Sequence, residues 1–173
     1  DGTFVDVELL NTTYTPGVGD QSNGSVELIL TASPLAPCTD VDQDTMLLSF
    51  DPLPIADAGV DDTVCVNQTL TLSGQRTSSN ASTWSTLGDG TFDDASLLAA
   101  IYTPGSNDIL AGNVDVILTA DAIFPCTDAD SDTMNLVFDP LPIADAGIDD
   151  TICVNQTFTL SGLRTNSDAS LWT

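Results

Sequence analysis

The sequence predicts an all-β chain built from short-stranded, two-sheet domains set head to tail. Three features carry that expectation: short runs that alternate apolar and polar residues, turn residues between them, and self-similarity at a fixed offset. A shift of about 88 residues superposes DGTF at Asp1 on DGTF at Asp89, and YTPG at Tyr14 on YTPG at Tyr102. The same shift carries PCTD from Pro37 to Pro125, FDPLPIADAG from Phe50 to Phe138, VNQT from Val66 to Val154, and Trp84 to Trp172. No insertion interrupts the alignment, and roughly two-thirds of aligned positions are identical, the mark of a recent tandem duplication.

The elements follow from period-2 alternation. TVCVNQTLTLSG, STWSTLGDGTF, NVDVILTA and DTMNLVFD each read as strands of about 5 to 8 residues, because alternate side chains on a strand face opposite sides. Turns are expected at NQ, GDG, PG and the Asp-rich stretch. Helical periodicity is absent, apart from a single turn or bend expected at DDASLLAA near Asp93. About seven short strands in fewer than about 90 residues describe an immunoglobulin-like β-sandwich.

The PLP segments around Pro52 and Pro140 are the natural connectors, since two prolines fix an extended, semi-rigid path. A complete unit then spans residues 54–141. Residues 1–53 are the back of one unit and residues 142–173 the front of a further one. The two pieces are complementary: Thr173 aligns with Ser85, so the repeat continues with counterparts of Thr86, Leu87 and Gly88 and then DGTF. A neighbouring copy, covalently continuous or donating strands, is therefore expected to complete the split domain. The opening at Asp1 lacks the basic and apolar regions of a secretion signal, so the chain is expected to be an excerpt of something longer.

The repeated set PLPIADAG, DDT, C, VNQT and TLSG, followed by W-T, GDGTF, YTPG-D, LTA and C-T-D-DTM, resembles the PKD-like and Ig-like tandem repeats of giant Bacteroidota cell-surface proteins. The resemblance covers essentially the whole chain. It implies PKD-like sandwiches stacked in gliding-motility or adhesin proteins, an exported cell-surface location, and a spacer or fibre role.

Composition narrows the function classes. The chain holds 26 acidic residues against two cations, Arg76 and Arg164, with no Lys and no His, for a formal net charge of -24. Such a surface repels nucleic acid and anionic membrane. Apolar residues still make up 42%, so burial can offset the ordering entropy that keeps most acidic chains disordered. No apolar run approaches the roughly 18 residues of a membrane span. Without His for acid–base work, Lys for Schiff-base chemistry or a Gly-rich phosphate loop, an enzyme is not expected. Paired carboxylates suit a glycosidase, but every candidate occurs in both units, which favours a structural role. Trp84 and Trp172 read as core residues, with a sugar-stacking platform as the lesser reading.

The sharpest chemical pattern is CTDVDQDT, repeated as CTDADSDT. It sets Asp40, Asp42 and Asp44, and again Asp128, Asp130 and Asp132, at alternate positions. In a loop that curls around an ion such carboxylates converge on calcium, a hard cation that takes oxygen ligands at about 2.3–2.6 Å; the alternative is a solvated acidic hairpin tip. The Gly and distal Glu of an EF-hand are missing. Asp51, Asp57, Asp139 and Asp145 on the linkers are further candidate ligands at domain junctions, or else turn caps. Asp61 with Asp62 and Asp149 with Asp150 form a second tier, and Asp89 and Asp1 read as turn residues.

Cys38, Cys65, Cys126 and Cys153 place two cysteines in each unit, a disulfide signal in an exported protein. Pairing within a unit would join Cys65 to Cys126, although sandwich topology sets those positions at opposite ends. The alternative is bonding between stacked domains, with Cys38 and Cys153 finding partners on another copy. Zinc is the least favoured reading, since no His is present.

Five N-x-S/T sequons, at Asn11, Asn23, Asn67, Asn80 and Asn155, are near what chance yields in a Thr-rich chain. The family resemblance implies O-glycosylation at Asp-Thr followed by an aliphatic or Met residue, which Thr45, Thr63, Thr133 and Thr151 fit. The expected function is a structural repeat of an extracellular filament or adhesin stalk, stiffened by calcium and disulfides, whose partners are copies of itself. A module that binds glycans or cell-surface proteins and a strand-donating, pilin-like protomer are the alternatives.

Overall fold

The computed structural model describes all of residues 1–173. The chain is predominantly β, with two short helices, and it divides into two compact units. The first comprises Asp1–Leu53 with Ile123–Thr127; the second comprises Pro54–Ala122 with Asp128–Thr173.

In the first unit, β1 (Thr3–Phe4) pairs with β2 (Tyr14–Thr15), and the helix α1 (Val18–Asn23) leads into β3 (Ser25–Ala32) and β4 (Asp42–Ser49). The last two form an antiparallel hairpin running from Ser25↔Ser49 to Ala32↔Asp42. Nothing else is hydrogen-bonded to that hairpin as a strand, so both of its edges are open.

The second unit contains β5 (Ile55–Asp57), β6 (Asp62–Cys65), β7 (Leu70–Thr71), β8 (Gln75–Thr77), β9 (Ser82–Thr86), β10 (Thr91–Phe92) and β11 (Ile101–Thr103). After the helix α2 (Ser106–Ala111) come β12 (Asn113–Ala120), β13 (Asp130–Asp139), β14 (Ile143–Asp145) and β15 (Leu163–Thr165). One sheet has the order β6-β13-β12-β9, with β6 parallel to β13; a second has the order β10-β11-β7; β5 pairs with β8.

Alternation puts every second residue of β12 and β13 into one core, where Val116, Leu118, Ala120 and Leu136 are fully buried beside Leu72, Trp84, Tyr102, Met134 and Phe138. Fully burying a side chain of that size contributes on the order of 1.5–3 kcal/mol. The Trp84 indole Nε1 donates to the Leu97 carbonyl at 3.0 Å, so its polar atom is satisfied inside. A Cβ at Gly74 would meet the Trp84 ring at 2.6 Å, so glycine is what lets the indole lie against the backbone just before β8.

Two details differ from expectation. The segment after each YTPG is a six-residue helix, α1 or α2, closed by Gly24 or Gly112 in the left-handed conformation. Six residues are too few to show helical periodicity in sequence. The Asp-rich stretch is also not wholly a loop: Asp42 and Asp44 lie on β4, and Asp130 and Asp132 lie on β13. DDASLLAA forms turns, as expected.

Candidate functional site

The aspartates of the repeat act first on backbone amides. On β13, Asp130 and Asp132 are two residues apart and so face the same way. Asp130 Oδ2 accepts the Ala56 amide and Asp132 Oδ2 the Ala58 amide, each at 2.8 Å. Asp61 Oδ1 accepts the Asn135 amide at 2.8 Å. Carboxylates thus stitch the entering segment onto β13 where no strand ladder exists. The corresponding Asp42 and Asp44 on β4 are exposed, and Asp44 caps only the amide of Thr45.

A second carboxylate pair builds the turn before β12. Asp108 is buried; its Oδ2 accepts the Tyr102 hydroxyl at 2.6 Å and the Gly105 amide at 2.9 Å, and its Oδ1 accepts the Asp89 amide at 3.0 Å. Asp89 in turn accepts the amides of Asn107 and Asp108 at the start of α2. Burial pushes the Asp108 carboxyl up, but the Tyr102 hydroxyl and the Gly105, Asp89 and Gly90 amides outweigh it and hold the group below the usual carboxylate range. Burial, followed by the Asp108 contact, pushes the Tyr102 phenol up to about 12.

The first unit repeats this device: the Tyr14 hydroxyl donates to Asp20 Oδ2 at 2.5 Å, and Asp1 accepts the amides of Gly19 and Asp20. The Tyr14 hydroxyl, then the Gly17 amide, hold Asp20 down at about 2. Sequence reading assigned Asp1 and Asp89 to turns but overlooked Asp20 and Asp108. The signal available was the Asp that follows each YTPG by three residues, at the start of a helix.

No group of three or more Cys, Asp or Glu side chains is arranged to hold a metal ion. On an extended strand, residues i and i+2 stand roughly 6.6–6.8 Å apart, and Asp130 and Asp132 each turn one oxygen onto an amide of the entering segment. Asp57 and Asp145 fold onto their own turns, accepting the amides of Gly59 and Gly147 at 2.9 and 2.8 Å. Asp40, Asp51, Asp128 and Asp139 are exposed, and the Asp139 carbonyl accepts the Val66 amide.

All four cysteines are free thiols. Cys65 sits opposite Asp139 at the end of β6, and in the first unit the Cys126 thiol points at the Asp51 carbonyl, 3.7 Å away. Thr45, Thr63, Thr133 and Thr151 are all exposed, as modification requires. No helix is long and apolar enough to cross a membrane.

The largest departure from an ordinary protein surface is apolar. Leu30 and Met46 are 60% and 57% exposed, whereas Leu118 and Met134, their counterparts one repeat on, are 0% and 5% exposed. With Phe4, Tyr14 and Leu28 they line an apolar groove of about 480 Å³ on the first unit. Residues 142–173 show the reciprocal feature: Trp172 is 51% exposed and Leu160 54%, against 2% for both Trp84 and Leu72. No protein-family model matches this sequence, and no curated protein does so either.

Proposed function

We propose that this chain is a structural repeat of an extracellular filament or adhesin stalk, made of Ig-like β-sandwiches stacked head to tail. One observation carries the reading: the same registers are built twice along one chain. The β3–β4 hairpin repeats in β12–β13, from Ser25↔Ser49 and Asn113↔Val137 to Ala32↔Asp42 and Ala120↔Asp130. The β5–β8 pair repeats in β14–β15. A chain that spends its length on copies of one scaffold, with its buried carboxylates engaged by backbone amides, favours load bearing over chemistry.

Calcium enters this reading as the counterion of a surface with formal charge -24, whose self-repulsion opposes close stacking. Exposed thiols suit covalent bonds between units in an oxidising compartment. The test is solution scattering from a chain of four covalent units, in calcium and in chelator. A rod that stiffens with calcium supports the reading, and a freely jointed chain in both conditions contradicts it.

A further inference from the structure

We infer that the loop Ile123–Thr127, between β12 and β13, couples one repeat to the next, as a clasp seated on residues 50–53 where the preceding repeat ends. This rests on the reading of serial repeats and gives the joint its residues. By sequence the loop belongs to the central repeat, yet it packs within the compact unit of Asp1–Leu53. The chain therefore passes between the two units three times, after Leu53, Ala122 and Thr127, and not only along the PLP connector. The last two passages are the ends of a single loop anchored in neighbouring strands of one sheet.

The Cys126 thiol points at the Asp51 carbonyl, 3.7 Å away, and Pro125 and Cys126 border one cavity with Gly24, Phe50, Pro52 and Leu53. A thiol is a weak donor, so the clasp draws on apolar packing beside that bond. Nor does the thiol compete with a strand for its acceptor. Asp139, the counterpart of Asp51, accepts the Val66 amide at 3.0 Å, and a carbonyl has a second lone pair to offer.

Both halves are shaped before they meet. The Cys126 amide closes the loop on the Ile123 carbonyl at 2.9 Å, and Cys38 closes the first copy of the loop on Leu35 at 2.9 Å. The seat is fixed by the Phe50 amide on the Gly24 carbonyl, and Phe138 repeats that bond on Gly112, both at 2.9 Å. PCTD and FDPLP, loop and seat, occur together in each repeat, so the joint can recur at every step of an array. Preformed partners lose little further freedom on docking, which lets a contact of a few residues hold two domains. Cys126 is a free thiol in the clasp, so no disulfide is needed for it.

Pulsed electron paramagnetic resonance on the full chain reads the coupling. Spin labels go on Glu27→Cys in β3 and Thr133→Cys in β13, both exposed positions, with the native cysteines replaced by Ser. Cys126→Ser keeps a hydroxyl to donate to Asp51. A single narrow distance distribution is expected. Adding Pro125→Asp and Cys126→Asp sets two carboxylates against the seat and should broaden the distribution about twofold, since domains without a holding contact move by default. Circular dichroism checks that the β signal is kept. A second measurement leaves the loop unchanged. With Cys38, Cys65 and Cys153 replaced by Ser, Asp51→Cys should be oxidised by glutathione disulfide to a link with Cys126 inside one chain, read by mass spectrometry. Asp139→Cys in its place should not, because the ten residues of β13 hold it roughly 30 Å from the loop.

Equal widths with and without the loop changes, narrow or broad, overturn the clasp. A link at position 51 that forms only between chains, or not at all, overturns the seat. A four-unit chain that stiffens with calcium while the widths stay equal keeps the filament reading and removes the clasp. A four-unit chain that stays compact in both conditions, with the widths still set by the loop, contradicts the filament and keeps the clasp.

Discussion

Asp132 accepts the amide of Ala58 at 2.8 Å across 74 residues of sequence, fastening the segment that enters the central repeat to the strand that leaves it. Asp130 does the same for Ala56. A carboxylate here replaces a strand ladder, so part of the acidic pattern holds backbone together. Replacing Asp132 by Ala leaves the Ala58 amide without its acceptor in a buried position and should cost about 1–3 kcal/mol. Urea denaturation of the variant checks this, and an unchanged midpoint would show that the bond contributes nothing.

The two tryptophans should separate sharply. Trp84→Ala empties a core site and should destabilise by about 3–5 kcal/mol. Trp172→Ala should cost much less, because its ring is half-exposed. Thermal melts of both in dilute solution make the comparison.

Acid should loosen the turn that precedes each hairpin. Asp20 is held at about 2 by the Tyr14 hydroxyl and the Gly17 amide, below an unfolded value of roughly 3.9. A depressed carboxyl stabilises the fold above its unfolded pKa, and that stabilisation is lost as pH falls through the folded value, here from roughly pH 4 to pH 2. Asp108, also depressed, acts in the same direction. Asp108→Asn should flatten the acid limb of a stability–pH curve measured by urea midpoints; an unaltered slope would assign the acid sensitivity elsewhere.

Alkali should act on Tyr102 with the opposite sign. Its phenol is pushed up to about 12 by burial and by Asp108, so its contribution is full below an unfolded value of roughly 10 and is lost as pH rises through 12. Tyr102→Phe should remove that alkaline loss, read as the unfolding midpoint between pH 9 and pH 12, at the cost of leaving Asp108 without its hydroxyl donor.

Self-repulsion should make stability depend on cations. At a formal charge of -24, the urea midpoint at low ionic strength should be low, rising with sodium chloride and more steeply with calcium at matched ionic strength. Urea denaturation across both series reads the effect; equal responses to the two salts would reduce calcium to simple screening.

Much of this was legible in the residues themselves. Strict alternation in NVDVILTA and DTMNLVFD located β12 and β13, and the repeat located their copies in advance. Trp84 was recognisable as core because it sits in an alternating run. What escaped were features set by tertiary partners. The helices α1 and α2 are too short for a period, and their buried Asp20 and Asp108 look in sequence like any other acidic residue of a very acidic chain. Asp130 and Asp132 show alternation in sequence, but their bonds to the Ala56 and Ala58 amides depend on where the entering segment lies.

Electron cryomicroscopy of the assembled chain tests the account most directly. It predicts a filament with one axial rise per repeat, each unit built in the registers of residues 54–141. A discrete particle with no axial repeat would contradict it.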